Sequence, residues 1–302
     1  MMGEKFVSSR AGMWWIDALQ VATALASFSL NGILLLCNYR RGKNRWTTDG
    51  ILITINALLD CVISFTLILN AFIRLGYPAL VYDGSTWCRI SFINEEVLGA
   101  VCLNLVTVLA LARYLIIVRG YNPHPMAWTF VALFVALVAS FILSFRVVEA
   151  QLYVYPAGMY CYLIAPQLGV LAPFSIVCFL LYIPHLFIIP FCYLRLSYHY
   201  SRVMNRHVCE FDASYRLKQK ILGLIVVIIV YWLSLIPYIT VSSAIRYFHL
   251  AIPPLADGLI YWLKCCFILI NALFPILFHA EIQANFNLIF NLKKDFDAEL
   301  EY

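Results

Sequence analysis

Charge is what this chain has least of. Asp, Glu, Lys and Arg make up 12% of its 302 residues, about half of the roughly 25% that a water-soluble chain carries. So few charges cannot cover a globule of this size, and the apolar excess must face lipid. That excludes a soluble enzyme, a nucleic-acid binder and a disordered regulator. Internal repeats and low-complexity tracts are missing too. Histidine is scarce, six in all, and only His185 lies deep in an apolar stretch. His124, His199, His207, His249 and His279 fall in loops or at span ends, so no converging metal-ligand set is expected. No nucleophile–base pair stands out, and the reading is not an enzyme. The first fifteen residues lack a signal-peptide pattern, because Trp14 and Trp15 lead straight into an apolar run.

What is present is apolar length. AVILMFWYC residues make up 63% of the chain and the mean hydropathy is +0.85. A membrane-spanning helix needs about 20 mostly apolar residues. Seven such stretches occur, near Met13–Tyr39, Ile51–Leu75, Ser91–Val118, Ala127–Phe145, Ala172–Tyr198, Ile221–Ile245 and Leu255–Phe278. The predicted fold class is an all-α membrane protein, a seven-transmembrane helix bundle. It forms one domain over residues 1–302, with an amino-terminal stretch at 1–12, the bundle at 13–280 and a tail at 281–302. Lysine and arginine set the orientation. Arg40, Arg41, Lys43, Arg45, Arg119, Arg202, Arg206, Arg216, Lys218, Lys220, Lys293 and Lys294 fall on the tail side, against Lys5, Arg10, Arg74, Arg146 and Arg246 on the other. The positive side stays in the cytoplasm, so the amino terminus lies outside. The net charge of +5 is membrane topology, not a polyanion-binding surface.

Of ten cysteines, seven lie in or at the ends of spans, where cysteine is a small buried hydrophobe. Cys209 lies in a cytoplasmic loop. Only Cys88 and Cys161 face the oxidising side, and they are expected to form a disulfide.

Several marks at ordered spacings now carry a resemblance. They are Asn31-Gly32 in the first span, Asp60 in the second, Cys88 and Ala112-Arg113-Tyr114 in the third, and Pro190 with Tyr198 in the fifth. Pro237 in the sixth and Pro275 with Phe278 in the seventh complete the series. Together they resemble a divergent class A (rhodopsin-like) G-protein-coupled receptor. The resemblance implies that a short amphipathic eighth helix follows over Glu281–Leu292. It also implies a plasma-membrane receptor that carries the signal of an unidentified extracellular ligand to a heterotrimeric G protein. Arg113, Tyr114, Tyr198, Pro237, Trp232, Pro275 and Phe278 would serve coupling and switching. The departures are Ala112 where the family has an acid, Phe274 and Phe278 around Pro275, and Leu235 where it has a tryptophan. Trp232, three residues before Leu235, is read as a partial stand-in.

Ionisable residues inside spans are costly in lipid and are functional candidates by default. Glu95 precedes Arg113 by 18 residues, five regular α-turns, which points both the same way along the helix. Glu96, turned by about 100°, faces a neighbour. Lys264 lies at a depth comparable to Glu95, and a Glu95–Lys264 ion pair is expected. Lys264 turned outward to the lipid headgroups is one alternative. The other is a retinal-binding photoreceptor or light-driven transporter, with Lys264 as the attachment amine and Glu95 or Glu96 as counterion. Opsins place that lysine where this chain has Ile268, one turn deeper. Otherwise no cofactor is called for. Glu95, Lys264, Glu96, Tyr238 and Arg89 are the pocket candidates. The family's aspartate at the position of Asp60 binds sodium, but the partner positions here hold Cys102 and Phe274, poor ligands for a hard cation. Asn31, Asp60 and Asn271 are instead expected to form a polar network. With Ala112 beside Arg113 and no acid near Tyr215-Arg216-Leu217-Lys218, the arginine lacks both familiar restraints. Tyr198 is then its expected partner, and ligand-free signalling should be high.

Overall fold

In a computed structural model of the chain, residues 14–40, 47–121, 124–149, 152–154, 159, 161–163, 171–206, 211–248, 250 and 252–289 are described. Only the backbone is described at 95–96, 139–149, 152–153, 162–163, 171–184, 203–206, 211–220, 243–244, 246–248, 277–278 and 280–281. The expectations for the side chains of Phe278, Glu95 and Glu96, for the basic residues of 41–46 and for the tail beyond Ile289 lie outside the described residues. Helix α1 runs Trp14–Tyr39 and α2 Thr48–Gly76. A contiguous α3 covers residues 86–118, α4 runs Pro125–Glu149, α5 Leu171–Arg206, α6 Phe211–Phe248, α7 Pro254–Phe278 and α8 Ala280–Ile289. Five described stretches are long and apolar enough to cross a membrane: Trp14–Tyr39, Thr48–Gly76, Gly99–Val118, Ile221–Ser242 and Pro254–Ile276; α4 adds a shorter apolar one, Pro125–Val138. Between α4 and α5 a small antiparallel hairpin pairs β1 (Leu152–Val154) with β2 (Cys161–Leu163).

Local chemistry sets the helix ends. The Thr47 hydroxyl accepts from the Gly50 amide and starts α2, and Ser85 accepts from the Cys88 amide at 3.1 Å and starts α3. Both satisfy amides that a helix cannot satisfy internally. Gly120, at φ +67°, follows α3 in the left-handed region that a side chain would strain. Pro254 opens α7 at a position where its missing N–H is harmless. His279 is extended, and its N–H returns to the Pro275 carbonyl at 3.0 Å, so the chain breaks there between α7 and α8.

Helix α3 is not a regular helix. It is built from α-helical Thr86–Phe92, π-helical Ile93–Leu98, α-helical Gly99–Arg113 and π-helical Tyr114–Val118. A π turn bonds five residues back instead of four and so holds one residue more. That extra residue turns one end of α3 by about 100° against the other. The five-turn argument aligning Glu95 with Arg113 therefore does not hold.

Two buried clusters fill the bundle. One packs Leu103, Ile189, Tyr193, Tyr231, Tyr238 and Tyr261 among α3, α5, α6 and α7. The other lies at the α8 end and joins Leu34, Ile53, Leu109, Ala112, Trp128 and Ile282. The Asn285 amide donates to the Cys37 carbonyl and ties α8 to α1. Large apolar side chains such as Phe65, Phe130, Phe187 and Leu233 cover the outside. That is the inverse of a soluble surface.

Candidate functional site

The expected disulfide is present. Cys88 near the start of α3 is bonded to Cys161 in β2, and the Val154 amide donates to Asp83 at 2.7 Å. Trp87 is buried beside the bridge with Val81 and Phe92. Arg89 is exposed and is not among the residues lining the cavity below.

A small cavity lies among α2, α3, α6 and α7. Asn94, Gly99, Cys102, Leu235, Tyr238, Lys264 and Ile268 are among its lining residues. Asn94 and Gly99, five apart, share this wall because the π turn between them brings residues at that spacing to one side. The Lys264 Nζ stands 4.1 Å from the centre of the Tyr238 ring. It is also 4.0 Å from where a Cβ on Gly99 would lie. Lys264 thus turns inward, with its ammonium beside Gly99. The ammonium over the Tyr238 face is a cation–π contact, stronger the less water reaches it. The outward-turned lysine is overturned. The choice of Glu95 over Glu96 rested on regular α geometry and loses its basis, since both lie within the π turn.

Midway along the bundle, Asp60 is fully buried. The Cys102 thiol donates to its Oδ1 at 3.0 Å, and the Asn271 amide in turn donates to the Cys102 sulfur at 3.5 Å. The network therefore links α2, α3 and α7. Asn31 does not reach Asp60. It donates to the carbonyl and hydroxyl of Ser27, and Ser64, one turn from Asp60, donates to that hydroxyl at 3.0 Å. With a thiol on one carboxylate oxygen and Phe274 in place of an oxygen ligand, these residues do not fit a hard cation. Thr107 Oγ1 lies 2.9 Å from the Leu103 carbonyl and is hydrogen-bonded to His185 Nδ1 at 2.7 Å. That pair joins α3 to α5.

At the α8 end, Arg113 is engaged by residues the sequence reading missed. Its Nε donates to Asp49 Oδ1 at 2.7 Å and its Nη2 to Asp49 Oδ2 at 3.2 Å. His279 Nε2 sits 3.1 Å from the same Asp49 Oδ2. The guanidinium also lies near the Tyr193 hydroxyl and 5.4 Å from the centre of the Phe274 ring. So the expectation of an unrestrained arginine is wrong about the acid: it comes from α2, not from α3 or α6. Nor is Tyr198 its partner, being exposed and stacked under Arg202. Five residues separate the two tyrosines, about 140° around the helix. One signal was available. An acid in the first turn of one span and a base in the last turn of its antiparallel neighbour meet at the same bundle end, each favoured by its helix dipole. Tyr114 packs edge-on against Phe191, and its hydroxyl accepts from Arg119 at 3.0 Å. Trp232 donates to the Leu186 carbonyl and is 42% exposed, so it faces α5 while Leu235 lines the cavity. Pro237 and Pro275 lie inside α6 and α7.

Among solved structures, the crystal structure of squid rhodopsin matches with a TM-score of 0.72, covering 92% of this chain and 85% of that chain. The fold is rhodopsin-like. Sequence identity in that match is 15%, so the likeness concerns the fold alone. No protein-family model matches the sequence, and no curated protein matches it. With its rhodopsin-like fold and apolar spans, this is a multi-pass membrane protein.

Proposed function

We propose that the chain is a single-domain receptor of the plasma membrane, amino terminus outside, with seven spans and α8 lying along the cytoplasmic face. A ligand enters the cavity around Lys264, and the bundle passes the signal to a heterotrimeric G protein at Arg113. One observation carries this reading: a single helix, α3, lines an outer cavity with Gly99 and presents a clasped arginine at its other end. Such a helix lets ligand and G protein bias the same two-state equilibrium. Within the cavity, Glu95 or Glu96 serves as the carboxylate partner of Lys264.

A retinal-carrying bundle is the second reading, favoured because Lys264 lines the same cavity as Ile268, so an amine does stand inside the bundle. Guanine-nucleotide exchange, measured with a panel of G proteins on membranes holding the chain or its Arg113→Ala variant, tests the first reading. Exchange above mock membranes that is lost in the variant supports it, and exchange equal to mock for every G protein overturns it. A visible absorption band after incubation with retinal, lost in Lys264→Met, would replace it with the second.

A further inference from the structure

We propose that Asp49 is the positioning residue that holds this receptor closed, taking the place of the missing acid beside Arg113; this rests on the receptor reading above. The Asp49 carboxylate has two oxygens and uses both. Oδ1 accepts from Arg113 Nε, and Oδ2 is shared between Arg113 Nη2 and His279 Nε2. One side chain thereby ties the start of α2, the end of the α-helical part of α3 and the break between α7 and α8. Tyr193 and the Phe274 ring bring α5 and α7 against the same guanidinium. The exposures suit a clasp, since the Arg113 and Asp49 side chains are 11% and 26% exposed. That is dry enough for a charge-assisted bond to count, yet open at the face where a partner docks.

The location also explains why an acid at position 112 is not needed. Ala112 is 1% exposed and belongs to the apolar cluster of Leu109, Trp128 and Ala132, so a carboxylate there would be buried away from the guanidinium. The His279 imidazole lends direction to the clasp. Its Nδ1 is buried and has no hydrogen-bond partner, whereas its Nε2 meets Asp49. The ring thus serves as a one-sided donor that pins the α7–α8 break to α2. Any outward swing of that break, or a rotation of α3, pulls Arg113 and His279 off the same carboxylate together. Opening is therefore concerted.

The experiment reads the conformation directly and does not depend on finding the right G protein. Spin labels at Tyr39→Cys in α1 and Leu222→Cys in α6, both at exposed positions, report the opening of the bundle by pulsed electron resonance in the full-length chain. Losing a charge-assisted bond of this kind shifts the closed-to-open ratio by roughly tenfold or more. Asp49→Asn should therefore populate a longer distance that is minor in the unmodified chain, and Asp49→Glu should return most of it. His279→Phe, which removes only one limb, should give a smaller shift in the same direction, and it stands in for Asp49→Asn should that variant not fold. A distance distribution unchanged in both Asp49→Asn and His279→Phe overturns the clasp. If the distances shift as expected while every G protein stays silent, the clasp stands and the receptor reading falls.

Discussion

Lys264 shows how far one side chain can be argued. An ammonium inside an apolar bundle needs compensation, because an isolated charge at the bilayer centre is expensive. The Tyr238 face at 4.1 Å supplies part of it, and an acid from the π turn supplies the rest in our proposal. Removing one member of such a pair strands the other at a cost of about 3–5 kcal/mol, whereas replacing both is often tolerated. Lys264→Met alone should lower the yield of folded protein at the cell surface. Adding Glu95→Gln or Glu96→Gln, whichever is the partner, should restore it. If neither double variant exceeds Lys264→Met, no carboxylate in the π turn is paired with the lysine. That lysine was legible in the sequence as a buried charge. Its neighbours were not, because Tyr238 and Gly99 reach it from other helices.

At the scale of elements, α3 matters most, since its π turn at Ile93–Leu98 sets the register between the disulfide and the cavity wall. Apolar periodicity does not reveal it, because one extra residue in a thoroughly hydrophobic helix leaves the pattern apolar on every side. Deleting Ile93 should close the π turn to an α turn. Cys88 would then swing by about 100° and shift by about 1.5 Å relative to Gly99, out of register with Cys161 in β2. Peptide mapping without reductant should find Cys88 and Cys161 as free thiols, with reduced surface expression. A disulfide formed in full yield would show that the hairpin follows the helix and that the π turn does not set the register. The rest of the helical inventory was largely readable. Five of the expected stretches coincide with described helices long and apolar enough to cross a membrane, and α5 and α6 extend well past their apolar cores.

For the whole molecule, α2 is a strut held at both ends. Asp49 sits in its first turn and Arg74 in its last, about 37 Å apart at 1.5 Å per residue. Arg74 is buried, donates to Asp17 at 2.7 Å and to the Met159 carbonyl at 2.8 Å, and also bonds Gln20. One guanidinium thus joins α1, α2 and the segment that carries the hairpin. The sequence reading counted Arg74 only among the charges of the outer side; the structure buries it. Arg74→Met should lower the unfolding midpoint markedly, at a cost of about 3–5 kcal/mol, and adding Asp17→Leu should recover much of the loss. Thermal unfolding in detergent checks this. A double variant as damaged as the sum of the singles would mean that the two charges are energetically independent.

Composition alone determined that the chain lives in a bilayer, because twelve charges per hundred residues cannot hydrate a globule. The apolar stretches and the disulfide pairing were legible in the sequence as well: the lysine and arginine pattern left Cys88 and Cys161 as the two cysteines expected on the less basic side, and apolar length is a one-dimensional quantity. Only the tertiary structure decided which groups meet. Asp49 holds Arg113 across 64 residues of sequence, Tyr193 and not Tyr198 touches it, and Leu235 and not Trp232 lines the cavity. Each of these depends on the rotation of a helix about its own axis. In a helix that is apolar all round, hydrophobic periodicity does not specify that angle. Packing against the neighbouring helices does, and in α3 a single extra residue resets it.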